Sequence, residues 1–303
     1  MILSLLRGLL RPGPPAALPE PPREAPAEGV LQLRFLGTAG FALTGSSTTL
    51  VLDPYLSRAG VGALLWGRLQ VDEALLAREL PVADAVLVGH SHFDHVLDAP
   101  ALCRRTGATL YGSASTAMVA AAAGLDPAQM RVLSPGEQVT HGAARFKPLH
   151  SRHGRVFGRV PLPGELTRPP PWPPRLRDLP HGAVWLWAVE LGGLKVLHVD
   201  SADWIAESLA GVQADILCLC AVGRQYRQGY THDLIRQVGA KVVVPCHWDD
   251  FTVPFGQRPR QIPGVDLDAF VKEIEAAGAE AVVLGVGGTR SFVAETLRAS
   301  PSR

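Results

Sequence analysis

Three histidines and an aspartate stand close together in the run Gly89-His90-Ser91-His92-Phe93-Asp94-His95. Side chains two apart on extended backbone point the same way, so His90 and His92 can serve one metal ion. Asp94 and His95, in the turn that follows, can face a second position a few ångströms away. Two ions that share a water bring its pKa toward neutrality and polarise an acceptor oxygen, so the chemistry expected of this run is hydrolysis. Asp94 would orient the attacking oxygen as well as bind metal. Gly-x-Ser-x-Gly, Gly-x-Gly-x-x-Gly and a Walker-type phosphate loop are all absent, which argues against serine catalysis and nucleotide-cofactor chemistry.

Rigid elements must bring such donors to one edge. Strand-like apolar runs are expected at 31–36, 48–53, 85–89, 108–112, 145–149, 184–190, 195–199, 215–220, 241–245 and 281–284. Helices are expected at 72–80, capped by Asp72, at 98–105 with Asp98 as cap, and at 203–210, 231–238 and 267–277. Strand and helix signals alternate, the pattern of a layered α/β protein. One proline-rich stretch, 161–180, breaks the rhythm and cannot be a regular element. With Phe157, Leu162, Leu166 and Trp172 among its residues, the insertion at about 154–182 either forms an apolar wall or lid beside the site or is a surface excursion.

Two divisions are expected: residues 1–29, and a folded domain over 30–303. Ile2, Leu5, Leu6, Leu9 and Leu10 fall at helical spacing, so residues 1–11 are expected to form an amphipathic segment able to make weak membrane-surface contact. Residues 12–29 have the composition of an extended proline-rich linker. No apolar stretch approaches the roughly 18 to 20 residues that span a bilayer. Twenty-nine Lys plus Arg against 28 Asp plus Glu leave a net charge of +1, so no global field gathers nucleic acid, and none is expected as partner. Four cysteines, Cys103, Cys218, Cys220 and Cys246, lack Cys-x-x-Cys spacing and fit a reducing, cytoplasmic setting.

The His-x-His-x-Asp-His string, Pro148-Leu149-His150, Val199-Asp200-Ser201 and Pro245-Cys246-His247-Trp248 together resemble the metal motifs of the metallo-β-lactamase superfamily. Gly37-Thr38-Ala39-Gly40-Phe41 and Val51-Leu52-Asp53-Pro54 resemble the opening of its branch containing the ascorbate 6-phosphate lactonases and the N-acyl phosphatidylethanolamine phospholipases. The resemblance runs from about Leu31 to Phe251. It implies a four-layer αββα sandwich made of two similar halves, with a dinuclear site along one edge of the sheets. Carried over residue by residue, it implies His90, His92 and His150 on one metal, Asp94, His95 and His247 on the other, and Asp200 bridging. Val199 stands where the family usually has glycine. The donor set suits Zn²⁺, with Mn²⁺ or Fe²⁺ also acceptable.

The third motif, His150-Ser151-Arg152-His153, offers two histidines. If the strand ends near Leu149, His150 is the first side chain placed at the sheet edge. His153 would then line the pocket as a proton donor to the leaving group, and Arg152 would contact a phosphate or carboxylate. Arg224, Tyr226 and His232 follow the 215–220 run and are substrate-contact candidates. His198 and Asp203 read as structural, while His141 and His181 sit in apparent turns without a role. The function this implies is metal-dependent hydrolysis of a lactone, a phosphodiester or a related ester in a small-molecule or lipid-like substrate. The alternatives on the same ligand set are a superfamily nuclease and a di-iron redox protein.

Overall fold

The structure, a computed structural model, describes residues 11–15 and 26–299. The amphipathic run at positions 2–10 lies outside the described residues. The first sheet comprises β1 (Val30–Gly37), β2 (Gly40–Gly45), β3 (Thr48–Leu52), β4 (Ala85–Leu87), β5 (Thr109–Gly112) and β6 (Met130–Val132). The second comprises β7 (Val139–His141), β8 (Ala144–His150), β9 (Trp185–Leu191), β10 (Leu194–Val199), β11 (Ile216–Cys220), β12 (Val242–Cys246) and β13 (Glu280–Ala281), while β14 (Thr289–Val293) returns to the edge of the first. The spatial orders are β14-β1-β2-β3-β4-β5-β6 and β13-β12-β11-β10-β9-β8-β7.

Pairing shows why the halves are alike. From β14 to β3 every neighbour is antiparallel, and from β3 to β6 every neighbour is parallel. From β7 to β10 and then from β10 to β13 the second sheet repeats that order. Parallel strands need crossovers that cover the sheet, so β11 and β12 are buried on both faces and carry continuous apolar runs. Leu31, Leu33 and Phe35 alternate inward on β1 and share one core with Phe146, Trp187 and Leu197 of the second sheet. Helices Glu73–Glu79, Ala99–Thr106 and Ala114–Ala122 cover the outer face of the first sheet with Leu76, Leu102 and Val119. Helices Tyr230–Val238 and Leu267–Ala276 cover the second with Leu234, Ile235, Phe270 and Ile274. Four layers result, helix, sheet, sheet, helix.

Several local expectations change on folding. Helix 203–210 reduces to a 3₁₀ turn at Ala206–Leu209, because Asp203 Oδ1 accepts from the Trp204 amide and from Arg227. Asp98 stands at a helix N-cap position without capping; its Oδ2 instead accepts from the amides of Leu56 (2.6 Å) and Ser57 (2.9 Å). Of the 281–284 run only Ala281 joins a sheet, with Glu280 before it. The linker expected from residue 12 is docked at its start, with the Gly13 amide donating to Pro259 O at 3.0 Å and Arg11 paired with Asp266. Among the described residues no helix is long and apolar enough to cross a membrane.

The proline-rich insertion forms a strap whose one regular piece is a 3₁₀ turn at Leu176–Asp178. It is tied along its length. The Leu166 amide donates to Ser115 Oγ (3.1 Å), the Leu69 amide to Pro174 O (2.7 Å), and the Ser91 amide to His181 O (2.9 Å). Leu166, Trp172 and Leu176 pack on the outer core of the first half.

Candidate metal centre

Four strand ends meet at one edge of the two sheets. After β4 the chain passes through Gly89 and His90, and His92, in extended backbone, opens a single helical turn, Phe93–Val96, that carries Asp94 and His95. His153 follows β8, Asp200 follows β10 and His247 follows β12. Three overlapping groups of donors form there: His90 with His92 and His153, His90 with His95 and Asp200, and Asp94 with His95 and His247. Within each group the donor atoms lie within 4.8 Å of one another.

His90 Nε2 stands 3.0 Å from His92 Nδ1. Two nitrogens each about 2.0–2.1 Å from one tetrahedral ion would be about 3.3 Å apart, so the pair is close to ligand spacing. His90 Nδ1 stands 2.6 Å from Asp200 Oδ2, which is also 3.7 Å from His95 Nδ1. This places Asp200 between the outer groups, where the resemblance implies a bridge. His247 Nε2 lies 3.3 Å from Asp94 Oδ2.

The third motif is corrected by three residues. His150 is the last residue of β8, exposed, with its ring 5.8 Å from that of Trp185. The strand runs one residue beyond the expected end, and the chain turns into the site only afterwards. His153 takes the place expected of His150: its ring centre lies 4.8 Å from that of His90 and 4.7 Å from that of His92. Its Nδ1 donates to Gly154 O (2.7 Å), and the Gly154 amide donates to Ser201 Oγ (2.9 Å), which fixes the ring. The role of leaving-group acid expected of His153 falls with that change, since its ring stands among the metal donors.

The substrate-contact candidates do not converge on this cavity. Arg152 is exposed. Arg224 is buried against Glu273 (3.2 Å), with its guanidinium over the Phe270 ring. Tyr226 is exposed, and His232 pairs with Asp233 in solvent. His198 is structural as expected, its Nε2 donating to Ala39 O at 2.8 Å, and Asp203 holds Arg227 and the Trp204 amide. His141 stands beside Tyr111, its Nδ1 3.1 Å from the phenol oxygen, and belongs to none of the donor groups.

Two residues reach the centre without having been assigned to it. Asp53 accepts from the Gly89 amide (2.7 Å) and from His95 Nδ1 (3.0 Å), which turns His95 Nε2 toward Asp94. A carboxylate behind a metal-site imidazole fixes both its tautomer and its direction. The signal in the chain is an aspartate directly after the apolar run of β3. His181 comes from the strap and stacks on His153 at 5.6 Å and 19°; nothing local marks it, because only the folding back of the strap brings it there.

The backbone is strained where these groups are held. Asp53 and His247 both have positive φ, 42° and 53°. Such conformations cost of order 1–3 kcal/mol each and persist only when neighbours enforce them. For His247 the enforcement is visible. Its amide donates to Thr38 O (2.5 Å), the Thr38 amide donates to Asp249 Oδ1 (2.8 Å), and Asp249 pairs with buried Arg58 (2.6 Å). The Gly37-Thr38 turn is thus the clamp on the last metal motif.

Electrostatics favour cations here. Burial, then the neighbouring Asp200 carboxylate, raise Asp53 above the usual carboxylate range, a crowding of negative charge that a cation relieves. Burial would raise Asp94 too, but His95, His247 and His92 hold it below the usual carboxylate range. His90 and His95 do the same for Asp200 against its own burial. Burial, and then His90, lower His153 to about 3, and the same two causes lower His92. His92 and His153 are therefore held toward the neutral imidazole, the form that binds metal. Asp200 Oδ1 is buried without a hydrogen-bond partner. An orphaned carboxylate oxygen of that kind, in a set of imidazoles and carboxylates, fits a pair of divalent ions.

Gly89 leaves the space that the Asp200 carboxylate occupies. A Cβ there would stand 2.1 Å from Asp200 Oδ2 and 3.1 Å from Trp185 O, and Asp200 cannot retreat without leaving His90. Gly89→Ala is expected to lower bound metal by at least about one ion per chain while the protein stays folded. Elemental analysis with circular dichroism checks this; full metal content in a folded variant contradicts it.

Residues 32–247 match the family described as the Beta-lactamase superfamily domain. A UPF0173 metal-dependent hydrolase of Thermus thermophilus is 26% identical over 261 residues, spanning 85% of this chain and 97% of that one. One from an Anaeromyxobacter species is 36% identical over 135 residues, which is 43% of this chain and just under half, 46%, of the relative. Igni18, a metallo hydrolase from Ignicoccus hospitalis, has a similar fold, with a TM-score of 0.58 at 17% identity over 87% of this chain and 98% of that one. The chain belongs to the metallo-β-lactamase superfamily, among its metal-dependent hydrolases.

Proposed function

We propose that this centre hydrolyses an ester-type bond, lactones included, with His90, His92 and His153 holding one divalent ion, Asp94, His95 and His247 holding another, and Asp200 between them. The observation that carries the reading is the set of three overlapping donor groups at the floor of a cavity of about 220 Å³. Imidazole nitrogens outnumber carboxylates in it, a balance that favours Zn²⁺. Bound there, two such ions would supply acidity to a shared water and polarise the oxygen of the scissile group. Asp94, kept ionised by three neighbouring imidazoles, accepts a hydrogen bond from the attacking water and directs its lone pair. The water oxygen bonds to the acyl carbon, the bond to the leaving oxygen breaks, and that oxygen departs with the proton the water gives up. Asp53 holds the His95 ring in register throughout. The strap covers one side of the reacting group and limits competing water. The test is a screen of purified protein, metal-replete and chelator-treated, against lactones, carboxylic esters, thioesters and phosphodiesters. Hydrolysis of a carboxylic ester or lactone that chelation abolishes and Zn²⁺ restores is expected; activity indifferent to chelation in demonstrably metal-free protein overturns the reading.

A further inference from the structure

The walls above the donors are almost wholly apolar. Val156, Phe157, Leu162, Leu176, Phe251 and Ile262 line the cavity together with the metal-site residues, and among the described residues the lining includes neither Lys nor Arg. Arg224 pairs with Glu273 and Arg227 with Asp203, so neither guanidinium is free to bind an anion there. Two of the lining residues are held at a cost. Phe157 and Leu162 both have positive φ, 51° and 35°. The Leu162 carbonyl accepts from the His181 amide at 3.0 Å, which locks that turn over the site. Strain of this kind in non-glycine residues is maintained where side-chain direction matters.

We infer that the cavity selects substrates by an uncharged apolar acyl or aromatic group about the size of one ring, seated against Leu162, Phe157 and Ile262, and that it rejects the same group bearing a terminal anion. The proposal rests on the hydrolytic reading above for what happens to the substrate, but not for what the walls bind. Size follows from volume: an apolar cavity of about 150 Å³ accommodates benzene, and this one is about 220 Å³ including the space over the donors. Exclusion follows from desolvation. A carboxylate or phosphate at the far end of the acyl group would leave water for walls that offer it no cation. The rim, where Phe157 is 63% exposed, gives the group a way in.

Two measurements on the full chain separate this inference from the reaction. Calorimetric titration with hexanamide, which carries the neutral six-carbon tail without an ester, is expected to show at least about tenfold tighter binding than adipamate, the same tail ending in carboxylate. Leu162→Trp, which fills the cavity, is expected to weaken hexanamide at least about tenfold with metal content unchanged. In turnover, phenyl hexanoate is expected to exceed both phenyl decanoate and the phenyl monoester of adipate at least about tenfold in kcat/KM, and Leu162→Trp should move the optimum to phenyl acetate. Adipamate binding as well as hexanamide, or Leu162→Trp leaving hexanamide binding intact, overturns the inference. Should hexanamide bind as stated while none of the phenyl esters is hydrolysed by metal-replete protein, the pocket assignment stands and the ester reading of the reaction fails.

Discussion

Asp94→Asn is expected to lower turnover at least about a hundredfold on any substrate the parent hydrolyses, the range associated with loss of a positioned acid–base group combined with a metal-shell defect. The carboxylate lies among His92, His95 and His247 and is held ionised by them, so the amide removes a charge without changing shape. It can still accept a hydrogen bond, but it cannot neutralise a cation or draw on a water proton with equal strength. Folding should survive, because the swap is near-isosteric on a single helical turn and the remaining donors come from separate strand ends. Steady-state kinetics on protein of measured metal content checks both parts. Parent-like turnover in a metal-replete Asp94→Asn protein contradicts the role given to Asp94.

The second large effect separates the two histidines of the third motif. His153→Ala is expected to weaken the metal it serves by at least about a hundredfold, beyond the 10–100-fold that loss of an outer partner costs. His150→Ala is expected to leave metal content and kcat/KM within about twofold of the parent, since its ring is exposed on the Trp185 side of the strand. Metal titration of the two variants against a competing chelator decides the matter. Metal loss in the His150 variant, with the His153 variant unaffected, would return the motif to the strand-end assignment.

The difference between those two residues shows where the chain is legible before folding and where it is not. His90, His92, Asp94 and His95 lie in one short run, so their convergence depends only on a strand end and one helical turn. Asp200 and His247 each follow an apolar run whose end is sharp, Val199 and Cys246, so their placement at the sheet edge is local too. At β8 the boundary is not sharp. Polar and apolar residues alternate only from Ala144 to Pro148, and β9 pairs with the strand up to His150 opposite Trp185, which carries it one residue further. A small shift in a strand end reassigns a ligand. Asp53 and His181 are harder still, because their contacts span 42 residues to His95 in one case and depend on the closure of the strap in the other. Arg224 fails for the opposite reason: a loop position at the right end of β11 says nothing about a helix residue, Glu273, that claims its guanidinium.

The same reasoning applies to the sheets. Strands with dense apolar runs, such as β11 and β12, announce themselves, whereas β2, bounded by glycines, is set by its pairing with β1 and β3, and β14, with mostly exposed side chains, by its pairing with β1. The repeated order of antiparallel and parallel neighbours in the two sheets emerges from pairing that no single segment encodes.

The most direct measurement of the whole account is elemental analysis of the purified chain, taken with and without a chelator and with reconstitution in Zn²⁺. The account predicts close to two divalent ions per chain, loss of hydrolysis on their removal, and recovery as the second ion is restored. A chain that is folded, catalytically competent and free of bound metal, or one that saturates with a single ion in the presence of intact His153, Asp200 and His247, would contradict the two-ion centre on which the proposed chemistry stands.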